Sequence, residues 1–89
     1  KTPSIFKKIK VYPNPFSTST TIQFELKKEQ KAELFIYDIK GSIVRQQNNL
    51  YLEAGTNIIK IEKANLPTGL YHFILRSSEG EIKNKFVIE

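Results

Sequence analysis

Apolar and polar residues alternate with a period of two along most of the chain. In the stretch from 21 to 26, Ile22, Phe24 and Leu26 occupy every second position, and residues 32–37 repeat the pattern. Such alternation is typical of strands with one buried and one solvated face. It predicts strands near residues 9–11, 21–26, 32–37, 42–46, 57–62, 69–76 and 81–89. Because no stretch shows sustained helical spacing, we expect an all-β chain of about seven antiparallel strands, folded as a β-sandwich.

The last predicted strand has the weakest alternation. Its apolar face is interrupted by Asn84, which lies between Ile82 and Phe86. Ile88 continues that face, and strand geometry places every second side chain on the opposite one. The residues expected on the opposite face are Lys83, Lys85 and Val87.

Glycines mark the predicted turns. In the segment DIKGS, Asp38 opens a turn, and Gly41 stands where a type I turn passes into a left-handed residue. The segments EAGTN and SSEGE repeat this arrangement with Gly55 and Gly80. In LPTGLY, Gly69 follows a proline that presets the turn, and it can supply a positive φ directly before a strand.

Two prolines surround Asn14 in the segment VYPNPF. Pro13 and Pro15 lack a backbone donor, and each restricts the residue before it to extended geometry. A central strand does not tolerate this, whereas an edge strand that ends in a rigid corner does. We therefore expect a short first edge strand, a stiff exit and then the second strand. The segment from Lys1 to Lys8 has a weaker pattern and is predicted to be a tether, with the folded domain at 9–89.

Composition restricts the function more than it identifies it. The chain has 89 residues, which suits one domain, and it contains no cysteine, so it can form neither disulfides nor a thiolate metal site. No apolar run reaches the length of a membrane helix or the core of a signal peptide. A formal net charge of +5 favours acidic partners without naming one.

Residues with catalytic chemistry are scarce. His72 is the only histidine, its strand position points it outward, and no nucleophile or carboxylate stands at the spacing of a triad. Glu79 and Glu81 flank a turn glycine, where charged residues keep a hairpin tip solvated, and no loop has the ligand spacing of a calcium site. We expect no enzymatic activity, no catalytic residues, no metal and no cofactor.

Nucleic-acid binding is a separate hypothesis, raised by the positive charge and the aromatic residues. Single-strand binders combine exposed aromatic side chains with a basic groove. Here the lysines are spread along the whole chain, as expected for outward strand positions that protect edges from aggregation. Phe35 and Tyr37 are unusual because they lie on the face opposite Leu34 and Ile36. Either this strand is covered on both sides or it presents an aromatic patch.

Five segments, in this order and spacing, resemble the type A C-terminal sorting domain of proteins exported by the type IX secretion system of Bacteroidetes. They are VYPNPF, ELFIYDIKGSIV, EAGTN, LPTGLYHFIL and the final KNKFVIE, and the similarity extends from about residue 9 to residue 89. None of the segments is decisive alone. Glu89 departs from the basic or apolar ending expected for the family.

The resemblance implies a non-catalytic, removable export signal with an immunoglobulin-like fold. Family members carry it behind an upstream cargo domain, and the outer-membrane export machinery recognises it in the periplasm. A sortase-like peptidase then cuts ahead of it, here between Lys1 and Lys8 or before Lys1, and the cargo reaches the cell surface or the medium. The expected recognition contacts are Lys83, Lys85 and Val87. The residues that match the structural motifs of the family are Pro13, Asn14, Pro15, Gly41, Gly55, Gly69, Tyr71, Phe86 and Ile88.

Two alternatives remain open at this stage. An accessory immunoglobulin-like module of an extracellular enzyme or adhesin would bind carbohydrate or protein, and it need not lie at the end of its reading frame, as a sorting domain must. A nucleic-acid binder would lose affinity steeply as salt rises, because phosphate contacts release counterions. We expect no nucleic-acid partner.

Overall fold

Seven strands form two sheets in the computed structural model, which describes residues 5–89. The three-stranded sheet has the order β1-β2-β5, and the four-stranded sheet has the order β4-β3-β6-β7. All pairings between strands are antiparallel. The strands are β1 (Lys7–Tyr12), β2 (Ser19–Leu26), β3 (Gln30–Tyr37), β4 (Ile43–Leu52), β5 (Gly55–Glu62), β6 (Gly69–Ser77) and β7 (Gly80–Ile88).

The strand order confirms the predicted immunoglobulin-like sandwich. Strands β1, β2 and β5 correspond to A, B and E of that fold, and β3, β6 and β7 correspond to C, F and G, with β4 added beside β3. The alternating apolar residues of both sheets point into one core, as the period of two requires. The most completely buried apolar side chains are Ile22, Phe24, Leu34, Ile36, Phe73, Leu75, Phe86 and Ile88.

The fourth strand is longer than its apolar pattern indicates. The sequence predicts a strand at 42–46, whereas β4 continues to Leu52. The polar residues 46–49 conceal it, because they lie at a sheet edge with both faces exposed. Their alternation is also broken, since Asn48 and Asn49 together oppose Glu33 in a β-bulge, and Asn49 has a φ of 57°.

The first strand lies at the edge of the three-stranded sheet, as predicted for a strand that ends at a proline corner. It begins at Lys7, two residues earlier than its apolar pattern indicates. Phe6 precedes it and is buried, with its ring centroid 5.4 Å from that of Phe24. The folded core therefore includes one side chain of the predicted tether.

The predicted boundary at Lys8 falls within the first strand. Lys8 belongs to β1, and its Nζ lies 3.8 Å from Glu25 Oε1 of the neighbouring strand. A β-bulge explains why the pattern conceals this part of the strand, since Lys8 and Ile9 together oppose Phe24 and Lys8 has a φ of 53°. Lys1 and the rest of residues 1–4 lie outside the described residues, so the tether stays a prediction there.

Candidate recognition surface

The last strand forms one edge of the four-stranded sheet and pairs with β6 along its whole length. The nine pairs run from Gly69–Ile88 to Ser77–Gly80 without a register shift. Phe86 and Ile88 are 0% and 1% exposed, because their positions point into the core. On the opposite face Lys83 and Lys85 are exposed and Val87 is half-buried.

Aromatic rings fix the end of this strand in the core. The ring of Phe86 has its centroid 5.4 Å from that of Phe16, 5.7 Å from that of Tyr71 and 6.1 Å from that of Phe73. The Tyr71 hydroxyl donates a hydrogen bond to the Pro67 carbonyl oxygen at 2.6 Å. This bond, from a tyrosine near the start of the sixth strand back to the preceding turn, is the tyrosine corner of immunoglobulin-like folds. Since Phe86 contacts three rings, the terminal strand is part of the core and not an appendage.

The segment Pro13–Phe16, which we term the clasp, binds the outer edge of β7. The Asn14 side-chain oxygen Oδ1 accepts a hydrogen bond from the Val87 N–H at 2.9 Å. The Phe16 N–H donates to the Val87 carbonyl oxygen at 3.0 Å, and the Glu89 N–H donates to the Phe16 carbonyl oxygen at 2.8 Å. The clasp thus runs parallel to the end of β7 and satisfies backbone groups that an edge strand otherwise exposes.

The base of the clasp is also held in place. The Thr20 hydroxyl donates to the Pro13 carbonyl oxygen at 2.7 Å, and Thr20 is a buried polar residue of the core. The peptide bonds that precede Pro13 and Pro15 are both cis. The proline corner therefore does more than end the first strand, because it presents Asn14 and Phe16 to residues 73 positions away in sequence.

Apolar side chains lie on the outer face of the four-stranded sheet beside the lysines. The register places Phe35, Ile74 and Lys83 in one row across β3, β6 and β7. The next row contains Tyr37, His72 and Lys85. Phe35, Tyr37 and Ile74 are half-buried. The structure lies between the two possibilities for Phe35 and Tyr37, since both rings are half-buried and the Arg76 guanidinium lies over that of Phe35.

A shallow depression of about 500 Å³ lies between these rows. Its lining includes the side chains of Tyr37, His72, Ile74, Lys83 and Lys85. An apolar floor with cations on one side can accept an apolar group next to an anionic one.

The charges of this face are only partly neutralised. Glu81 pairs with Arg76, with 3.1 Å between Oε1 and Nε, and with Lys83, with 3.8 Å between Oε2 and Nζ. The Arg76 guanidinium also lies 5.4 Å from the centroid of Phe35. These exposed pairs contribute little to stability. In the described part of the chain Lys85 has no ion pair, so its charge is available to a partner.

One tyrosine elsewhere has a perturbed ionisation. The Tyr51 hydroxyl donates its proton to the Glu29 carboxylate, with 2.9 Å to Oε1 and 2.5 Å to Oε2. This hydrogen bond, together with desolvation and the negative charges of Glu29 and Glu53, raises the pKa of Tyr51 above its usual value of 10.0. Tyr51 lies on β4, at the edge of the sheet opposite to β7.

The described residues contain no cluster of three or more His, Cys, Asp or Glu side chains that could hold a metal ion. His72 is exposed, as its strand position predicts. Within residues 5–89 there is also no helix long and apolar enough to cross a membrane.

The structure brings together only some of the residues that the sequence singles out. Asn14, Tyr71, Phe86, Val87 and Ile88 meet at the end of β7. The turn residues Gly41 and Gly55 lie elsewhere, and with Gly69 they adopt the positive φ expected of them, at 89°, 99° and 152°.

Sequence reasoning missed two contributors to this region. Phe16 supplies the backbone bonds and the ring of the clasp, and Ile74 supplies the floor of the depression. The signal for Ile74 was present, because it is an apolar residue at an outward position of β6, between His72 and Arg76. No local pattern indicated the role of Phe16.

Comparison with known proteins agrees with this geometry. The family model described as the secretion system C-terminal sorting domain matches residues 10–89. The curated proteins include no match to the chain. The matched range covers all but the first nine residues and includes the clasp, the tyrosine corner and β7. Members of this family are sorting signals of the type IX secretion system of Bacteroidetes, which exports proteins toward the outer membrane or the cell surface. The chain belongs to the family of type IX secretion C-terminal sorting domains.

Proposed function

We propose that this domain is a removable, non-catalytic export signal that the outer-membrane export machinery recognises through Lys83 and Lys85. The domain follows an upstream cargo, reaches the periplasm with it and directs it across the outer membrane. The observation that supports this proposal is the division of β7 into two faces. Phe86 and Ile88 anchor the strand in the core, while the two lysines two positions apart are exposed on the other side.

Such a division separates recognition from folding. Exposed charges contribute little to stability, so the charge of this face can change without unfolding the domain. Charges arranged toward a partner set specificity and the rate of association. Val87 contributes less than the lysines, because its side chain is half-buried and its backbone N–H and carbonyl oxygen are bonded to the clasp.

Removal of the domain belongs to the same proposal. A sortase-like peptidase cuts between Lys1 and Lys8 or before Lys1, and the cargo is then released or attached at the cell surface. The burial of Phe6 and the place of Lys8 within β1 support a cut before Phe6, because cleavage behind it would separate a core side chain from the domain.

Charge reversal of the two lysines tests the proposal. The variant carries Lys83→Glu and Lys85→Glu, and the matched control carries Lys10→Glu and Lys60→Glu. The control pair is exposed on the outer face of the three-stranded sheet, and it changes the net charge equally. The ion pairs are matched as well, since Lys60 lies 3.8 Å from Glu62, as Lys83 lies 3.8 Å from Glu81.

Each variant is fused behind a fluorescent cargo that has its own signal peptide, in a host with the export system. We expect both variants to have a free energy of unfolding within about 1 kcal/mol of the wild type. Only the Lys83/Lys85 variant should retain cargo in the periplasm. Normal export of that folded variant, or equal retention of the control, contradicts the assignment of these lysines.

A further inference from the structure

We infer that the open part of the β7 edge, residues 81–85, accepts an added strand from a partner, in which acidic residues alternate with apolar ones. The inference rests on the proposed function in one respect, since it takes the partner to be a component of the export machinery. Its physical basis lies in the backbone of β7, in the open side of the sandwich and in the two lysines.

The backbone of β7 is suited to pairing on its outer side. Val87 and Glu89 direct their bonding groups away from β6, as their bonds to the clasp show. In an antiparallel ladder this orientation recurs at every second residue, so Glu81, Lys83 and Lys85 also direct their N–H and carbonyl groups outward. Apart from the contact with the clasp at Phe16, no segment within residues 5–89 pairs with this outer side of β7.

The clasp shows that the edge binds a second segment in strand-like fashion. It forms a parallel bridge at Ile88 and occupies the outward groups of Val87 and Glu89. Further along, the Lys85 N–H bonds only the side chain of its neighbour, with 2.8 Å to Asn84 Oδ1. A side chain that folds back on its own strand is a weak occupant, and an incoming carbonyl oxygen can replace it.

Apolar side chains at this side of the sandwich are incompletely covered. β1 lies on the same side of the sandwich as β7. The Ile5 side chain, just ahead of β1, lies 3.5 Å from where a Cβ would stand on Gly80 at the start of β7, and the clasp joins the other ends of the two strands. Ile82 on β7 and Ile9 on β1 are only half-buried. Apolar residues of an added strand would point inward and cover them, which adds hydrophobic stabilisation to the backbone bonds.

The lysines determine the chemistry of the other face. Lys83 and Lys85 are two positions apart, which is the spacing at which an extended segment presents side chains to one face. Acidic residues of an added strand would stand directly beside them, and opposite charges at such cross-strand positions are favourable. A second copy of β7 would instead place lysines next to lysines, so the charge pattern favours a foreign acidic segment over self-pairing.

The test uses the purified chain and short fluorescent peptides. The first peptide alternates glutamate with valine. The second replaces glutamate by lysine, and the third keeps the glutamates and valines but carries N-methyl groups on every second amide, so that it cannot complete a ladder. Fluorescence anisotropy should show that the first peptide binds at least about tenfold more tightly than either of the others. Equal binding of the N-methylated peptide overturns strand addition, and equal binding of the lysine peptide overturns the acidic preference.

Two variants place the binding site on β7. Lys83→Ala and Lys83→Pro remove the same charge, but only proline removes the outward N–H, and an edge strand tolerates proline at such a position. We expect a modest loss of affinity with alanine and at least a further tenfold loss, roughly, with proline. Equal affinities for the two variants, both folded by circular dichroism, contradict pairing at this edge. Dimerisation of the free chain that Lys83→Pro abolishes would identify a second copy as the occupant, and it would overturn the inference.

The outcome is separable from that of the proposed function. Peptide binding needs no export machinery. If the acidic peptide fails to bind while export still depends on the lysines, strand addition is contradicted and the sorting role stands. If the acidic peptide binds strongly but the charge-reversed variant is exported normally, strand addition stands and the role of the lysines in sorting is contradicted.

Discussion

The two edges of the four-stranded sheet differ in how far they are protected against pairing with another chain. β4 forms one edge and β7 forms the other, so each exposes a row of backbone groups that could pair with another chain. The β4 edge is irregular, with register shifts on either side of the pairs from Leu34 to Ile36. The β7 edge keeps a regular register over nine pairs, and only its last residues are covered by the clasp.

The composition of the two strands follows the same division. β4 carries the polar run 46–49 and is anchored by Leu52, which is 4% exposed, and by the half-buried Val44 and Leu50. β7 carries apolar anchors at 0% and 1% exposure, while its other face has lysines beside an apolar depression. An edge with a bulge and polar residues is protected against pairing. The contrast indicates that β4 is protected against pairing, whereas β7 is firmly anchored in the core and keeps part of its edge open.

The largest expected effect comes from removing the anchor of β7. Phe86→Ala deletes a ring that contacts three other rings, so we expect a loss of about 3 to 5 kcal/mol in the free energy of unfolding. Val44→Ala on the half-buried face of β4 is the comparison and should cost about 1 kcal/mol. Urea denaturation followed by tyrosine fluorescence measures both values. Similar costs at the two positions would show that the strands do not differ in their anchoring.

A smaller effect is expected when the clasp loses its polar contact. Asn14→Ala removes the acceptor of the Val87 N–H and should lower the free energy of unfolding by about 1 to 2 kcal/mol. Amide exchange should accelerate at Val87 and Glu89 but not in β4. Asn65→Ala is the control, because Asn65 is exposed and makes no side-chain hydrogen bond within residues 5–89. If exchange at the chain end is the same in both variants, Asn14 does not secure β7.

The sequence predicts the strands well wherever burial imposes a period of two. β2 and β3 bury alternate residues such as Phe24 and Leu34, so their pattern is strong. Residues 46–49 of β4 are exposed on both faces, so burial imposes no apolar alternation on that part of the strand. The turn at Asp38 was predictable for a local reason, since its carboxylate accepts the N–H groups of Lys40 and Ser42 at 2.9 and 3.0 Å.

The candidate site was less predictable because its contacts join distant segments. The proline pair indicates a rigid corner near Asn14, but nothing in the local pattern states that this corner binds Val87. The position of Ile74 beside Lys83 likewise depends on the register of β6 with β7. Alternation identifies which face a residue occupies, whereas the partner across a sheet or at its edge is set by topology.

The smallest effect concerns the bulge that we regard as the protection of the β4 edge. Asn49 has a φ of 57°, a conformation that asparagine and glycine adopt readily and that β-branched residues avoid. Asn49→Val should therefore destabilise the domain by about 1 kcal/mol, while Asn49→Gly should be nearly neutral. Asn48→Val is the matched control, since Asn48 is an exposed neighbour that is not among the non-glycine residues with positive φ. Equal stability of Asn49→Val and Asn48→Val by thermal unfolding would mean that the bulge needs no special residue.

A second measurement asks whether the bulge protects the β4 edge against pairing, because valine at position 49 favours a regular strand. If protection depends on the bulge, Asn49→Val should increase self-association in sedimentation, and a variant that loses stability but stays monomeric would restrict the role of Asn49 to folding.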